Sequence, residues 1–279
     1  MSENPKLSII TVNLNNRDGL QRTIDSVVSQ TFTDYEWIII DGGSTDGSRE
    51  LIEQYQDHFA YWCSEPDKGI YNAMNKGITH ARGEWLQFLN SGDRLFEKET
   101  LKNVFSNIFF SDVLYCDMVL QSDICSSEYR TYPDTLNIHF FFNHSLGHQS
   151  TFFNHSVFIN RKYDENYKIV SDWEFSLKLF SENYQFQHIP LFVSIFSMDG
   201  ISSTQETENI KERKMVLLEY IPSYYRQDME LLDQVKKKNS IIQNHKALQR
   251  IAAHQEKKLL FAAKIIKVIE KIKVSLNNK

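Results

Sequence analysis

Between residues 7 and 90, short apolar runs of strand length alternate with amphipathic runs of helix length. The strand-like runs are Leu7–Val12, Trp37–Asp41, Ala60–Cys63 and Trp85–Asn90, and the helix-like runs are Leu20–Gln30, Arg49–Tyr55 and Ile70–Thr79. Strict strand-helix alternation predicts an α/β fold: a mostly parallel, doubly wound, Rossmann-like central sheet with helices on both faces. Such sheets collect ligands outside the C-terminal ends of their strands, where the loops leave. Polar residues fall there four times: Asn13-Leu14-Asn15-Asn16, Asp41-Gly42-Gly43-Ser44-Thr45-Asp46-Gly47, Glu65-Pro66-Asp67-Lys68-Gly69 and Asn90-Ser91-Gly92-Asp93. The four loops are expected on one rim.

The 279 residues suffice for a large α/β domain and an appendage without disulfide or metal staples. From Thr100 to about Ser203 the pattern is irregular and aromatic, with strand candidates at Val113–Asp117, Thr151–Phe153 and Leu191–Phe196 and a helix at Trp173–Phe180. Beyond Gln205 the chain reads as helices only. Lys236 to Lys279 holds twelve Lys or Arg against Glu256 and Glu270. The expected division is residues 1–204 as the α/β domain, with halves 1–95 and 96–204, and 205–279 as a helical, basic C-terminal extension.

A formal charge of −5, with both signs mixed over the first two hundred residues, gives no broad positive surface for nucleic acid. Cys63, Cys116 and Cys125 form neither an even disulfide framework nor a CxxC pair, so reduced thiols are expected. No apolar run approaches the ~20 residues that span a bilayer, and no signal-like segment opens the chain. A cytoplasmic protein is expected, with peripheral contact on the cytoplasmic membrane as the alternative.

Asp41 ends a buried strand, and the glycines after it allow tight turns beside a ligand. An ordinary strand-to-helix turn with a Ser or Asx cap has the same composition. Asp93 is a hard oxygen ligand just past a strand and suits Mg²⁺ or Mn²⁺, which keep several waters and bridge phosphates. Alone, a loop aspartate is more often a turn residue; its company on the rim with Asp41 and Asp67 raises its weight. Ser171-Asp172-Trp173-Glu174 opens a helix, where Asp172 is either a cap or a base, with Glu174 as fallback. His139, His144, His148 and His155 do not combine into a clear zinc helix, so a polar, non-ligand role is expected for His148.

These motifs together resemble the family-2 glycosyltransferases of GT-A fold. The resemblance lies in Leu7–Asn15, Ser29-Gln30-Thr31, Ile40–Gly47, Glu65–Ile78 and Gly83–Asp93, strong over residues 6 to about 95 and weaker to about 200. The run Asp67-Lys68-Gly69-Ile70-Tyr71-Asn72-Ala73-Met74-Asn75-Lys76-Gly77-Ile78 is similar to members that build bacterial surface polysaccharides. The resemblance implies a nucleotide diphosphate-sugar donor, in all expectation a UDP-hexose, and a growing, lipid-linked glycan acceptor received by the second half. It implies Thr11 and Asp41 near the base, with Asn13 beside them on the rim; Asp67 and Asn75 on the ribose or sugar side; and a divalent metal on Asp93. Lys68, with Lys76 or Arg94, would help neutralise the phosphates. It further implies inverting transfer, Asp172 as the general base, and His148 in a segment, Gly147–Phe152, that lies near the acceptor. Two departures stand out: Asp41-Gly42-Gly43-Ser44 where many members have Asp-Asp-Gly-Ser, and Asn90-Ser91-Gly92-Asp93 where many have a DxD or DDD motif.

Two other readings compete. A sugar nucleotidyltransferase would open with a glycine-rich basic loop after the first strand, where this chain has Asn13-Leu14-Asn15-Asn16-Arg17. A non-catalytic nucleotide-sugar-binding scaffold would retain the fold without chemistry. The tail repeats Lys257, Lys264 and Lys271 beside an apolar face of Leu259, Phe261, Ile265, Ile266, Ile269 and Ile272. Such a helix can lie on anionic lipid, self-associate as a coiled coil, or pack on its own domain.

Overall fold

The computed structural model describes residues 4–121, 127–197, 206–223, 225–228, 230–231 and 234–235. The basic stretch 236–279, with its membrane and self-association expectations, lies outside the described residues.

The chain begins with three strand-helix units and a fourth strand: β1 (Leu7–Asn13), α1 (Arg17–Val28), β2 (Tyr35–Asp41), α2 (Ser48–Gln54), β3 (Tyr61–Ser64), α3 (Ile70–His80) and β4 (Trp85–Phe88). β5 (Arg94–Leu95), α4 (Thr100–Phe105), β6 (Val113–Gln121), β7 (Ser127–Arg130) and α5 (Ile138–Asn143) follow. β8 (Thr151–Asn154), α6 (Ser171–Ser181), β9 (Phe186–Ser197) and α7 (Glu206–Tyr220) complete the described elements of regular length.

All nine strands form one sheet in the order β3-β2-β1-β4-β8-β6-β9-β5, with β7 alongside β6. β3, β2, β1 and β4 are parallel. β8 runs antiparallel between β4 and β6, and β9 returns parallel to β6. The mixed half explains why regular alternation stops near residue 95: antiparallel neighbours need no intervening helix.

Pleating divides each parallel strand between two cores, as a sheet covered on both faces requires. Leu7, Ile9, Trp37 and Ile39 pack with Leu20, Ile24 and Val27 of α1 and Leu101 of α4. Ile10, Val12, Ile38 and Ile40 face Tyr71, Met74 and Ile78 of α3 and Phe175 of α6. A third cluster joins Met118, Phe141, Trp173 and Leu177 to Val216 of α7. That contact corrects the expected division at residue 204: the first compact unit runs to Tyr220, so α7 belongs with the sheet. Its polar composition hid a single buried stripe. Among the described residues no helix is long and apolar enough to cross a membrane.

At the N-terminal ends of the strands, Glu36 is buried and ionised. It accepts from Ser8 Oγ at 2.7 Å, from Arg82 Nε at 3.0 Å and Nη2 at 2.9 Å, and from Gly83 N at 3.1 Å. Burial alone would raise its pKa, but the hydrogen bonds from Ser8 and Arg82 and the guanidinium charge outweigh it and hold the carboxyl below the ordinary Glu value. A depressed folded pKa gives stability that is present above the unfolded value and lost as pH falls through the folded one. Glu36→Gln is expected to lower stability by about 2–3 kcal/mol near neutral pH. The gap to the parent should narrow in acid, as pH falls from neutrality through the depressed folded pKa of Glu36. Urea melts of both proteins at neutral and at acid pH check this; an equal gap at both would remove the charge from the explanation.

Candidate active site

Asp41, the last residue of β2, pairs in register with Asn13 of β1 and Ser64 of β3. Its Oδ1 accepts from Asn13 Nδ2 at 2.7 Å and Ser44 Oγ at 2.6 Å; its Oδ2 accepts from Ser44 N at 2.9 Å and Ser64 Oγ at 2.6 Å. Burial pushes its pKa up, yet these donors more than compensate and hold it below the usual Asp range. Asp41 is therefore a fixed anion that organises three strand ends. Asn13, oriented by Asp41, keeps its own Oδ1 buried and unpartnered among the described residues.

Two sequence expectations require correction. Thr11 is fully buried, donating to Leu89 O at 2.7 Å and accepting from Trp37 Nε1 at 3.0 Å, so it ties β1 to β4 and β2 and does not reach the rim. Asn75 is 4% exposed and occupied on both ends of its amide: Nδ2 donates to Tyr163 O and Glu165 Oε1, both at 2.9 Å, and Oδ1 accepts from Tyr163 N at 3.0 Å. It fastens the 163–165 segment to α3 rather than facing a sugar.

Asp67 does stand on the rim. Its Oδ1 accepts from Gly69 N at 2.8 Å, and its Oδ2 lies 2.6 Å from where a Cβ on Gly42 would sit. A side chain at position 42 would therefore require the Asp67 carboxylate to shift. Lys68 is exposed beside it, its backbone N–H bonded to Asn72 Oδ1. Lys76 is paired with Glu65 at 2.7 Å, and Arg94 donates to Gln121, so neither is an idle cation.

Asn90 to Asp93 form a β-turn closed by Asp93 N–H to Asn90 O at 3.0 Å. Gly92, third in the turn, has φ +104°, a left-handed conformation that favours glycine. Thr23 of α1 clamps the turn, accepting from Gly92 N at 3.0 Å and donating to Asp93 O at 2.8 Å. The Asp93 carboxylate is thereby fixed through its backbone, while among the described residues its side chain has one long bond, to Oδ1 from Ser197 N at 3.3 Å. Burial raises its pKa to about 7, against the opposing pull of His148. Asn90 Oδ1 is also buried without a partner among the described residues.

Asp172 is not the cap of α6; Val170 occupies that position and makes no side-chain cap bond. The Asp172 carboxylate instead accepts from Tyr71 OH at 2.9 Å on Oδ1 and faces His148 Nδ1 at 2.9 Å on Oδ2. An ionised carboxylate only accepts, so Nδ1 carries the proton. The other ring nitrogen, Nε2, lies 3.0 Å from Asn90 Nδ2. A continuous chain, Tyr71–Asp172–His148–Asn90, therefore links the base candidate to the Asn90–Asp93 turn. Burial works to raise the Asp172 pKa, but His148 and Tyr71 outweigh it and hold the carboxyl below the usual range. Burial likewise opposes protonation of His148, yet Asp172 and Asp93 hold its pKa above the ordinary value.

The donor set admits a divalent cation in one way. Among the described residues no three His, Cys, Asp or Glu side chains converge, so no all-protein cage exists. Asp93 and the unpartnered Asn90 Oδ1 are two hard oxygens on one turn, which fits an ion that takes its remaining ligands from water and phosphate. The sequence alone does not single out Tyr71 or Arg213. Tyr71 had a signal, a hydroxyl one turn before Asn75 on the apolar face of α3.

The glycosyl transferase family 2 model matches residues 8–167. A PGL/p-HBAD biosynthesis glycosyltransferase of Mycobacterium tuberculosis is 30% identical over 210 residues, covering 72% of this chain and 80% of that one. An uncharacterized glycosyltransferase of the same organism is 50% identical over 95 residues, 34% of this chain and 36% of that one. Among solved structures, residues 1–349 of S. aureus TarS in complex with UDP-GlcNAc superpose with a TM-score of 0.61 at 19% identity, over 80% of this chain and 69% of that one. The chain belongs to glycosyl transferase family 2 and has the GT-A fold; it is a glycosyltransferase.

Proposed function

We propose that the chain is an inverting hexosyltransferase that uses a nucleoside diphosphate-sugar, with a UDP-sugar first choice, and extends a lipid-linked glycan in surface polysaccharide synthesis. The observation that carries this reading is the Tyr71–Asp172–His148–Asn90 chain, which fixes an ionised carboxylate in line with the Asn90–Asp93 turn. TarS in complex with UDP-GlcNAc and a mannosyltransferase from Pyrobaculum calidifontis in complex with GDP-Man and Mn²⁺ share the fold, which supports a nucleotide-sugar donor.

In this reading Asn13 Oδ1 is the acceptor for a base N–H, with Asp41 holding the amide in place, and Asp67 and Lys68 line the ribose and phosphate side. Asp93 and Asn90 Oδ1 would hold Mg²⁺ or Mn²⁺, which when bound neutralises charge on the leaving diphosphate. Asp172 takes the proton of the acceptor hydroxyl as that oxygen attacks the anomeric carbon from the face opposite the nucleotide. His148 holds Asp172 in place and stands between it and the turn. The acceptor enters over α6, and the basic C-terminal stretch meets the cytoplasmic membrane surface that carries it.

Thermal unfolding with UDP, GDP, CDP and dTDP, each with and without Mn²⁺, tests the reading. A ligand at one hundred times its Kd adds about 2.7 kcal/mol to the folded state, enough for a shift of a few degrees. One diphosphate is expected to stabilise strongly, and more with Mn²⁺. Failure of every diphosphate would remove the proposed donor site.

A further inference from the structure

α7 is stitched to the base helix and its approach segment at three levels. Glu212 accepts from Lys168 N at 2.8 Å and Ile169 N at 3.0 Å, Arg213 lies 4.0 Å over the Trp173 ring, and Tyr220 OH donates to Glu174. Ile169 in turn offers its carbonyl to Tyr71 OH at 2.6 Å, so α7 supports the residues that hold Asp172.

Arg213 differs from its two companions because it is unbalanced. Among the described residues its guanidinium makes one hydrogen bond, a 3.3 Å contact from Nη2 to the neutral carbonyl of His144, and no carboxylate pairs with it. It is half-buried, stacked on Trp173 next to Asp172, and close enough to Asp172 to interact electrostatically. Burial lowers its pKa, the cost of a partly desolvated cation. Such cations are ordinarily paired, since desolvation is repaid only by a close anion. A bare cation beside a base also hinders proton uptake, because Asp172 is already held ionised by His148 and Tyr71. An anion arriving with the acceptor would settle both defects, neutralising Arg213 and letting Asp172 take a proton more readily. The flat guanidinium with several donors matches phosphate oxygens.

We propose that Arg213 is an acceptor-recognition residue whose ligand is a phosphate group of the acceptor, placed beside Asp172 by stacking on Trp173. This rests on the glycosyltransferase site proposed above. The phosphate has two possible sources, the lipid phosphate of a carrier or a phosphodiester within a glycan.

The experiment uses the full chain saturated with UDP and Mn²⁺, so that the donor side is filled, and measures binding of farnesyl diphosphate and of dimethyl phosphate by calorimetry. The parent is expected to bind at least one probe. Arg213→Gln should weaken that binding by about tenfold or more, and Arg213→Lys, which keeps the charge, by less. Preference for farnesyl diphosphate supports a lipid-phosphate source, and preference for dimethyl phosphate supports a phosphodiester source. UDP-induced stabilisation of the variant shows that it is folded. Arg213→Met, which covers Trp173 without charge, is the second neutral variant should the Gln form unfold. No binding of either probe by the parent, or unchanged binding in the neutral variants, overturns the proposal while leaving the donor site standing. Absence of UDP stabilisation in the parent takes both down together.

Discussion

Replacing Asp172 by asparagine is expected to lower the transfer rate by roughly 10³-fold while changing donor affinity by less than about twofold. The side chains have the same shape, so the amide can keep contact with Tyr71 OH, 2.9 Å from Oδ1, and with His148 Nδ1, 2.9 Å from Oδ2. What asparagine cannot do is take a proton. Of the groups proposed for the donor side, Asn13 and Asp41 bond to each other, Asp41 also accepts from Ser64 of β3, and Asp67 accepts from Gly69 N; none of these bonds involves Asp172. Donor binding should therefore survive. A cap would give a different result, because loss of an N-cap lowers stability by about 1 kcal/mol and leaves chemistry intact. Turnover and UDP binding measured side by side on the folded variant decide the matter. Near-parental turnover in D172N would end the assignment of the base.

The first four strands, their parallel order and the rim they form were legible because each strand is short, buried and bounded by polar loop residues. Side-chain direction was harder to read. Thr11 and Asn13 point to the same face of β1, but Thr11 stands one pleat earlier, and that spacing puts its hydroxyl under Leu89 and Trp37 while Asn13 reaches Asp41. Asn75 is placed on the sugar side by the family resemblance of the Asp67–Ile78 run. Its partners are Tyr163 and Glu165, about ninety residues away, and no local pattern announces them. The join between Asp172, His148 and Asn90 was hidden for the same reason: β8 enters beside β4 from the second half and carries the preceding His148 turn up to the end of that strand. The sequence showed each of the three residues without showing that they touch. Composition turns helical at residue 205 and so draws the boundary ahead of α7, whereas packing of Val216 and the Glu212 hydrogen bonds place that helix with the sheet.

Replacing Asp93 by asparagine should move stability and function in opposite directions. The Asp93 carboxylate is 4% exposed and, among the described residues, has a single 3.3 Å hydrogen bond, from Ser197 N, which makes its charge expensive in the unliganded protein. Burial accordingly pushes its pKa up to about 7. Asparagine retains an oxygen for Ser197 and removes the buried charge, and the turn itself is held by backbone groups: Asp93 N on Asn90 O and Thr23 Oγ on Asp93 O. The unliganded variant should melt no lower than the parent, and a gain of up to about 1 kcal/mol is reasonable for removing an uncompensated polar group. The carboxylate is the one full negative charge the turn offers a cation, since Asn90 supplies only an amide oxygen. The extra stabilisation that Mn²⁺ confers on the UDP-bound parent is therefore expected to vanish in D93N, and turnover to fall by about 10²–10³-fold, as when one charge-stabilising group is removed from a developing anion. Melts of both proteins unliganded, with UDP, and with UDP plus Mn²⁺ separate the two effects. A D93N protein that keeps the Mn²⁺ increment would mean that the cation is held away from the Asn90–Asp93 turn, and a variant that melts well below the parent would mean that Asp93 serves the fold before it serves the metal.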